Sequence, residues 1–352
     1  MTFISPADAR LTYMGRIDTT NPRAQVWVFP YTQVRFRCTG TSLKIRVKNR
    51  LHYGQSYLGV IIDGRESKVA LPQTECIEDV LLADNLPDIE HEVVIFKRQD
   101  GQHYVEFYGL LIDDHAVLTA TPQAQSHRRI EIFGDSISCG ERNEALLYAG
   151  QADPDVDLSS YSNAWWSYGA IAARALGAAL HDVSQGGAAL YDSIGWFHEP
   201  DYIGMESIWD RIEYNPTLGS TRAWDFQQYI PQVVVVALGQ NDAHPVDFMA
   251  QNCESAQSQH WRARYRAFLQ ALLAQYPHTH IVCATSIMTH DEAWDRAIAT
   301  VISELHHPQI SQLMYTRNAH ATPGHPRIAE HKEMAEQLVA HIESLSPRIW
   351  DN

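Results

Sequence analysis

Two kinds of hydrophobic patterning divide the chain. Between about Leu11 and Leu118, apolar and polar positions alternate in short runs, at 24–29, 34–38, 43–48, 57–62, 92–97 and 104–108. Period-two alternation turns one side of each run toward a core and the other toward solvent, so each predicts a β-strand. Thr39-Gly40, Asp63-Gly64, Asp100-Gly101 and Asp113-Asp114 punctuate the runs. The Asp-Gly pairs are hairpin signals, because such turns need residues that tolerate φ > 0. Many short strands with almost no helical periodicity predict an all-β sandwich or jelly roll over residues 1–122.

Residues 119–126 are polar and contain Pro122, which marks a connector. Beyond them the periodicity changes. An apolar run at 130–133 predicts a strand that breaks at Gly134, and 180–183 predicts another. Val233 to Leu238 is unbroken by polar residues, the pattern of a strand covered on both faces, and 280–284 resembles it. Helical spacing appears at 164–176 (stopped by Gly177), 262–276 (stopped by Pro277), 293–305 and 331–345. Strands interleaved with helices predict a doubly wound α/β domain over residues 127–352, its mostly parallel sheet flanked by helices on both faces.

In such domains reactive groups collect at the carboxyl ends of the strands. Four blocks lie there or near the C-terminus. Gly134-Asp135-Ser136 presents one hydroxyl on a turn. In Ser184-Gln185-Gly186-Gly187 a glycine lets the backbone come close to a ligand and present an N–H. Gly239-Gln240-Asn241-Asp242 follows the valine run with a carboxamide. Gly324-His325-Pro326 precedes the last helix with an imidazole. Taken singly, each also reads as an ordinary turn. A serine hydroxyl needs a base before it attacks, and an amide N–H suits a developing oxyanion; the claim of His325 to attention comes from its order after Ser136 and Asn241.

Composition narrows the setting. There are 27 basic and 42 acidic residues in 352, a net charge of -15, which argues against a nucleic-acid or anionic-membrane partner. Cys38, Cys76, Cys139, Cys253 and Cys283 form no C-x-x-C pair, so neither a zinc site nor a disulfide framework is expected. Cys139 lies near Ser136 without a neighbour that would lower its pKa, and reads as a small loop or core residue. No run reaches membrane-span length, and the first residues carry no basic and apolar leader pattern. A cytoplasmic protein is the expectation, or a secreted one if a leader has already been removed.

The four blocks together resemble those of the SGNH (GDSL) hydrolase superfamily. A β-rich N-terminal domain carrying Tyr57-Leu58-Gly59-Val60-Ile61-Ile62-Asp63-Gly64 precedes them, and segments 180–187 and 209–215 agree as well. The whole arrangement is similar to carbohydrate esterase family 2, which pairs a jelly roll with a flavodoxin-like SGNH domain. The resemblance implies a serine esterase that removes O-acetyl groups from sugars or oligosaccharides through an acyl-enzyme, with no cofactor and no metal. Ser136 would be the nucleophile and His325 the base. The N–H groups of Ser136 and Gly187 (Gly186 if the register is one residue off) and the Asn241 amide would form the oxyanion hole. A general short-chain esterase or lipase is the alternative among enzymes. A carbohydrate-binding protein with a weak or inactive SGNH domain is the alternative from another class.

One position departs from the superfamily pattern. Full triads carry Asp three residues before the histidine, and here that residue is Thr322. Three arrangements stay open: a Ser–His dyad held by a carbonyl or other polar group, a carboxylate supplied from elsewhere, or a site of low activity. Asp135 and Asp242 read as turn residues. Trp165, Trp166, Trp196, Trp209, Trp224 and Trp261 are candidates for stacking on a sugar ring, most of them expected in the core. The sandwich is expected to wall one side of the cleft.

Overall fold

The alternating half of the chain forms two antiparallel sheets packed face to face. The structure, a computed structural model, describes residues 1–121, 126–346 and 348–351. One sheet runs in the order Ile17–Asp18, Gln25–Trp27, His103–Ile112, Leu43–Leu51, Ile77–Ala83, with Thr2–Ile4 also paired to His103–Ile112. The other runs Leu118–Thr119, Gln33–Cys38, His91–Lys97, Tyr57–Ile62, Arg65–Ala70, with Thr12–Met14 on Gln33–Cys38. Leu43, Ile45 and Val47 point inward while Lys44, Arg46 and Lys48 point out, so alternation places the core between the sheets. Trp27, Phe36, Val60, Ile95 and Phe107 fill it.

The two Asp-Gly signals have different fates. Asp63-Gly64 joins Tyr57–Ile62 to Arg65–Ala70 as a two-residue hairpin with positive φ at both positions. Asp100-Gly101 is not a hairpin. The strands it connects, His91–Lys97 and His103–Ile112, lie in different sheets, and the crossing between them is turned toward the second domain.

The second domain holds a five-stranded parallel sheet in the order Ala179–Ser184, Arg129–Gly134, Val233–Ala237, His280–Ala284, Ile310–Leu313. Numbered along the chain this is 2-1-3-4-5, the flavodoxin-like order. Alternate valines serve opposite faces. Val233 and Val235 pack with Ala172, Met334 and Leu338, from helices Tyr168–Ala175 and Ile328–Leu345. Val234 and Val236 pack with Trp261, Leu269 and Ile298, from helices Ala256–Gln275 and Ala293–Leu305. Burial of each such apolar side chain contributes about 1.5–3 kcal/mol.

The helix expected at 164–176 is in fact two pieces, Ala164–Trp166 and Tyr168–Ala175. Ser167 divides them, because its side chain accepts the Ala170 N–H and caps the second. The connector predicted at 119–126 falls largely on residues 122–125, outside the described residues.

The two domains share buried polar contacts. Arg16 from the sandwich donates twice to Glu131, inside the parallel sheet, with both side chains fully buried. Tyr276 donates to the other Glu131 oxygen. Removing one partner would strand a buried charge, which typically costs about 3–5 kcal/mol.

Candidate active site

Parallel register sets the location of the site. Gly134 lies opposite Ser184 on one side and Ala237 on the other. The turns that follow these three strands therefore leave the sheet at one height, carrying Ser136, Gln185 to Gly187, and Gly239 to Asn241. Gly134 has no alternative, since a Cβ there would sit 2.2 Å from Ser138 Oγ. The turn after it is held by Asp135 Oδ1, which accepts the Ile137 N–H at 3.0 Å.

Ser136 Oγ is 3.0 Å from His325 Nε2. The imidazole is engaged on its other side as well: Nδ1 is 2.6 Å from Asp153 Oδ2, and the same oxygen accepts the His325 backbone N–H at 3.0 Å. Asp153 Oδ1 accepts Arg327 Nη2 at 2.5 Å. Burial pushes the Asp153 carboxyl up, but hydrogen bonds from His325 and Arg327 outweigh it and hold the group well below the usual carboxylate range. An ionised Asp153 accepts a proton-bearing Nδ1, which leaves the Nε2 lone pair facing the Ser136 hydroxyl.

The carboxylate that engages His325 thus lies on a loop that the sequence did not point to. Thr322, at the position expected to carry it, is buried, and its carbonyl accepts both the N–H and the hydroxyl of Thr289. Two features hold the Asp153 loop in place. Arg327, two residues beyond His325, donates to the carbonyls of Arg142 and Tyr148 as well as to Asp153. Gly324 lets the loop come close, because a Cβ there would lie 2.4 Å from the Gln151 carbonyl oxygen. Sequence carries no signal for this pairing, because Arg327 is seen to be buried, and so to need an anion, only in the fold.

Asn241 opens a short 3-10 turn, Asn241–Ala243. Its Nδ2 is 3.1 Å from the Ala188 carbonyl and 3.4 Å from Asp135 Oδ2. Asp242 is turned inward, accepting the Leu190 N–H and Trp261 Nε1. Burial pushes the Asp135 carboxyl up to about 7 and that of Asp242 up to about 6, and neither hydrogen-bonds to His325. The two glycines of the second block differ. Gly186 N–H is committed to Asp100 Oδ2 at 2.7 Å. Among the described residues no protein acceptor takes the N–H of Gly187 or of Ser136.

Of the six tryptophans considered, Trp261, Trp224 and Trp209 pack in the core. Trp165 lies partly buried between the domains and Trp166 donates to Glu66. Trp196 is different: it is 58% exposed, stacks on His244, and donates its backbone N–H to the Gly187 carbonyl. Cys139 is buried, which pushes its thiol up and away from thiolate chemistry. Among the described residues no group of three or more His, Cys, Asp or Glu could hold a metal ion, and no helix is long and apolar enough to cross a membrane.

Residues 13–122 match the carbohydrate esterase 2 N-terminal family. The chain is 26% identical over 348 residues to the cellulase/esterase CelE of Acetivibrio thermocellus, covering 95% of this chain and 39% of that one. It therefore spans well under half the length of that relative. It is 24% identical over 357 residues to an acetylxylan esterase / glucomannan deacetylase of Cellvibrio japonicus, covering 97% and 90%. The fold superposes on a family two carbohydrate esterase from Clostridium thermocellum in complex with cellohexaose, with TM-score 0.76, 25% identity and coverage of 95% and 98%. It also superposes on a family two carbohydrate esterase from Cellvibrio japonicus, with TM-score 0.79, 23% identity and coverage of 100% and 99%.

Proposed function

We propose that this chain, which carries a carbohydrate esterase 2 N-terminal domain and is similar along nearly its whole length to esterases of that family, is a serine esterase that removes O-acetyl groups from sugars or oligosaccharides. The observation that carries the proposal is the unbroken chain Ser136 Oγ, His325 Nε2, His325 Nδ1, Asp153 Oδ2, with links of 3.0 and 2.6 Å.

In this reading Ser136 Oγ attacks the acetyl carbonyl while His325 Nε2 takes its proton. Negative charge gathers on the former carbonyl oxygen, where the unengaged N–H groups of Ser136 and Gly187 receive it. Asn241 joins them by giving up its longer contact, the 3.4 Å one to Asp135, while the bond to Ala188 keeps the carboxamide in place. The imidazolium, stabilised by Asp153, then protonates the leaving sugar oxygen. Water attacks the acetyl-Ser136 ester with His325 again as base, and acetate leaves. No step calls for a metal.

The exposed face of Trp196, beside Gly187, suits a sugar ring whose apolar C–H face stacks on an indole. Acetylated xylo-, gluco- or manno-oligosaccharides are accordingly the substrates proposed, and the cellohexaose bound to the Clostridium thermocellum relative supports that class. Hydrolysis of p-nitrophenyl acetate by wild type and Ser136→Ala tests the chemistry. Absence of turnover by the folded wild type would favour a carbohydrate-binding role, and equal rates would remove Ser136 as nucleophile. Comparing acetylated oligosaccharides with longer-acyl p-nitrophenyl esters then separates a sugar deacetylase from a general short-chain esterase.

A further inference from the structure

The second block is held from outside its own domain. The crossing between the two sandwich sheets inserts Asp100 beneath the Gln185 to Gly187 turn. One carboxylate oxygen, Oδ2, accepts both the Gly186 N–H and Gln185 Nε2, each at 2.7 Å. The other oxygen accepts the Gln102 N–H at 3.0 Å, so the carboxylate is fixed within its own loop. Lys97, fully buried behind it, donates to the carbonyls of Gln99 and Asp100 and sets the shape of that loop.

The turn is gripped at further points. Gln185 Oε1 accepts the Tyr214 hydroxyl at 2.6 Å, and Tyr104 of the sandwich accepts the Tyr214 and Asn215 N–H groups. Gly101 presses so close that a Cβ on it would lie 2.1 Å from Tyr214 Oη. Gly186 is equally constrained, since its Cβ would meet Asp100 Oδ2 at 2.7 Å and Glu141 Oε2 at 2.6 Å. The next residue, Gly187, then takes φ +77°, a conformation glycine adopts without strain, and its N–H is left without a protein acceptor.

We propose that Asp100 is a positioning residue of the esterase: by anchoring the Gly186 N–H and the Gln185 amide, the N-terminal domain fixes the peptide plane that aims the Gly187 N–H at the developing oxyanion. The sandwich is then part of the catalytic apparatus, beyond any role as a wall or a sugar-binding module. A donor set for a transition-state charge works because it needs no rearrangement at the moment of reaction, and a turn of two glycines has little rigidity of its own. The inference rests on the proposed esterase reading.

The test uses the full chain, Asp100→Ala and Asp100→Asn, with p-nitrophenyl acetate and its thionoester, in which sulfur replaces the carbonyl oxygen and accepts hydrogen bonds poorly. Asp100→Ala is expected to lower kcat on the oxoester by about 10–100-fold with KM within about twofold, as misplacement of one donor would. On the thionoester it should change the rate by less than about threefold, since little oxyanion stabilisation is there to lose. Asp100→Asn keeps an oxygen able to accept the Gly186 N–H and should restore most of the oxoester rate. Equal losses on both substrates, or an oxoester kcat within twofold of wild type, would overturn the proposal. If Asp100→Ala does not fold, Asp100→Ser takes its place with the same criteria; loss of fold in both would assign Asp100 to stability and likewise overturn it. Ser136-dependent turnover by wild type keeps these outcomes separate from failure of the esterase reading itself.

Discussion

The strand-end turns and the 141–163 loop supply the proposed site by different means. Ser136, Gly187 and Asn241 follow three adjacent parallel strands whose register brings their ends level. Their convergence is a consequence of the sheet, and any chain that builds it must bring these turns together. Asp153 lies between the short 3-10 turns Leu146–Tyr148 and Ser159–Tyr161, outside any strand or α-helix, and is held at His325 by Arg327 and by the close approach that Gly324 permits. A parallel sheet can therefore bring a nucleophile and its donor turns level through backbone pairing, while the group that orients the base, like the aim of the Gly187 N–H, depends on a few tertiary contacts. Substitutions in the first region should alter chemistry without moving the backbone. Those in the second should act by releasing a loop.

The largest effect belongs to the first region. Ser136→Ala removes the attacking oxygen, and kcat/KM on p-nitrophenyl acetate should fall by about 10⁴–10⁶-fold with the fold unchanged by circular dichroism. Asn241→Ala deletes one oxyanion donor and should lower kcat by about 10²–10³-fold, or about 2.7–4 kcal/mol, with little change in KM. A matching rise in KM would mean that Asn241 binds the ground state instead.

Gly324→Ala acts on the loop instead. Its Cβ would displace Gln151 and with it Asp153, so kcat should drop by roughly tenfold although no reacting group has been altered. Full activity would show that the loop tolerates displacement and that its hold on His325 is not needed.

A smaller effect concerns pH. The folded-state carboxyl of Asp153 is depressed, so the stability it contributes is fully present above the ordinary carboxylate pKa of about 3.9 and is lost as pH falls through the lower folded value. The difference in urea stability between wild type and Asp153→Asn should therefore be constant from pH 5 to 7 and shrink toward pH 3. A difference that grows on acidification would reverse the assigned direction.

How much of this could be read from sequence follows the same division. The strand at Val233–Ala237 was legible because five consecutive buried positions leave no other reading. The helix at Ala293–Leu305 was legible because its apolar positions recur on one side. Arg65–Ala70 and Ile77–Ala83 were missed, being edge strands with largely exposed or half-buried side chains and no clean apolar alternation in their residues. Ile310–Leu313 was missed for a related reason: Ser311 and Gln312 interrupt it at the sheet edge. The helix beginning at Ala256 starts with Gln257, Ser258 and Gln259, whose polarity hid its first turns until the Ser255 cap was seen. Asp153 and Asp100 could not be read at all. Each owes its role to a partner far away in the chain, Arg327 for one and Gly186 for the other, and local pattern does not encode such distances.

In the proposed mechanism His325 takes its acid from the loop, not from the position three residues before it. The direct measurement is kcat/KM on p-nitrophenyl acetate for Asp153→Asn and Thr322→Ala side by side. Asp153→Asn should lose about 10³–10⁴-fold, because a carboxamide no longer selects the tautomer that leaves Nε2 free to act as base, while Thr322→Ala stays within about twofold of wild type. A fully active Asp153→Asn would contradict the account and leave a Ser136–His325 dyad in its place.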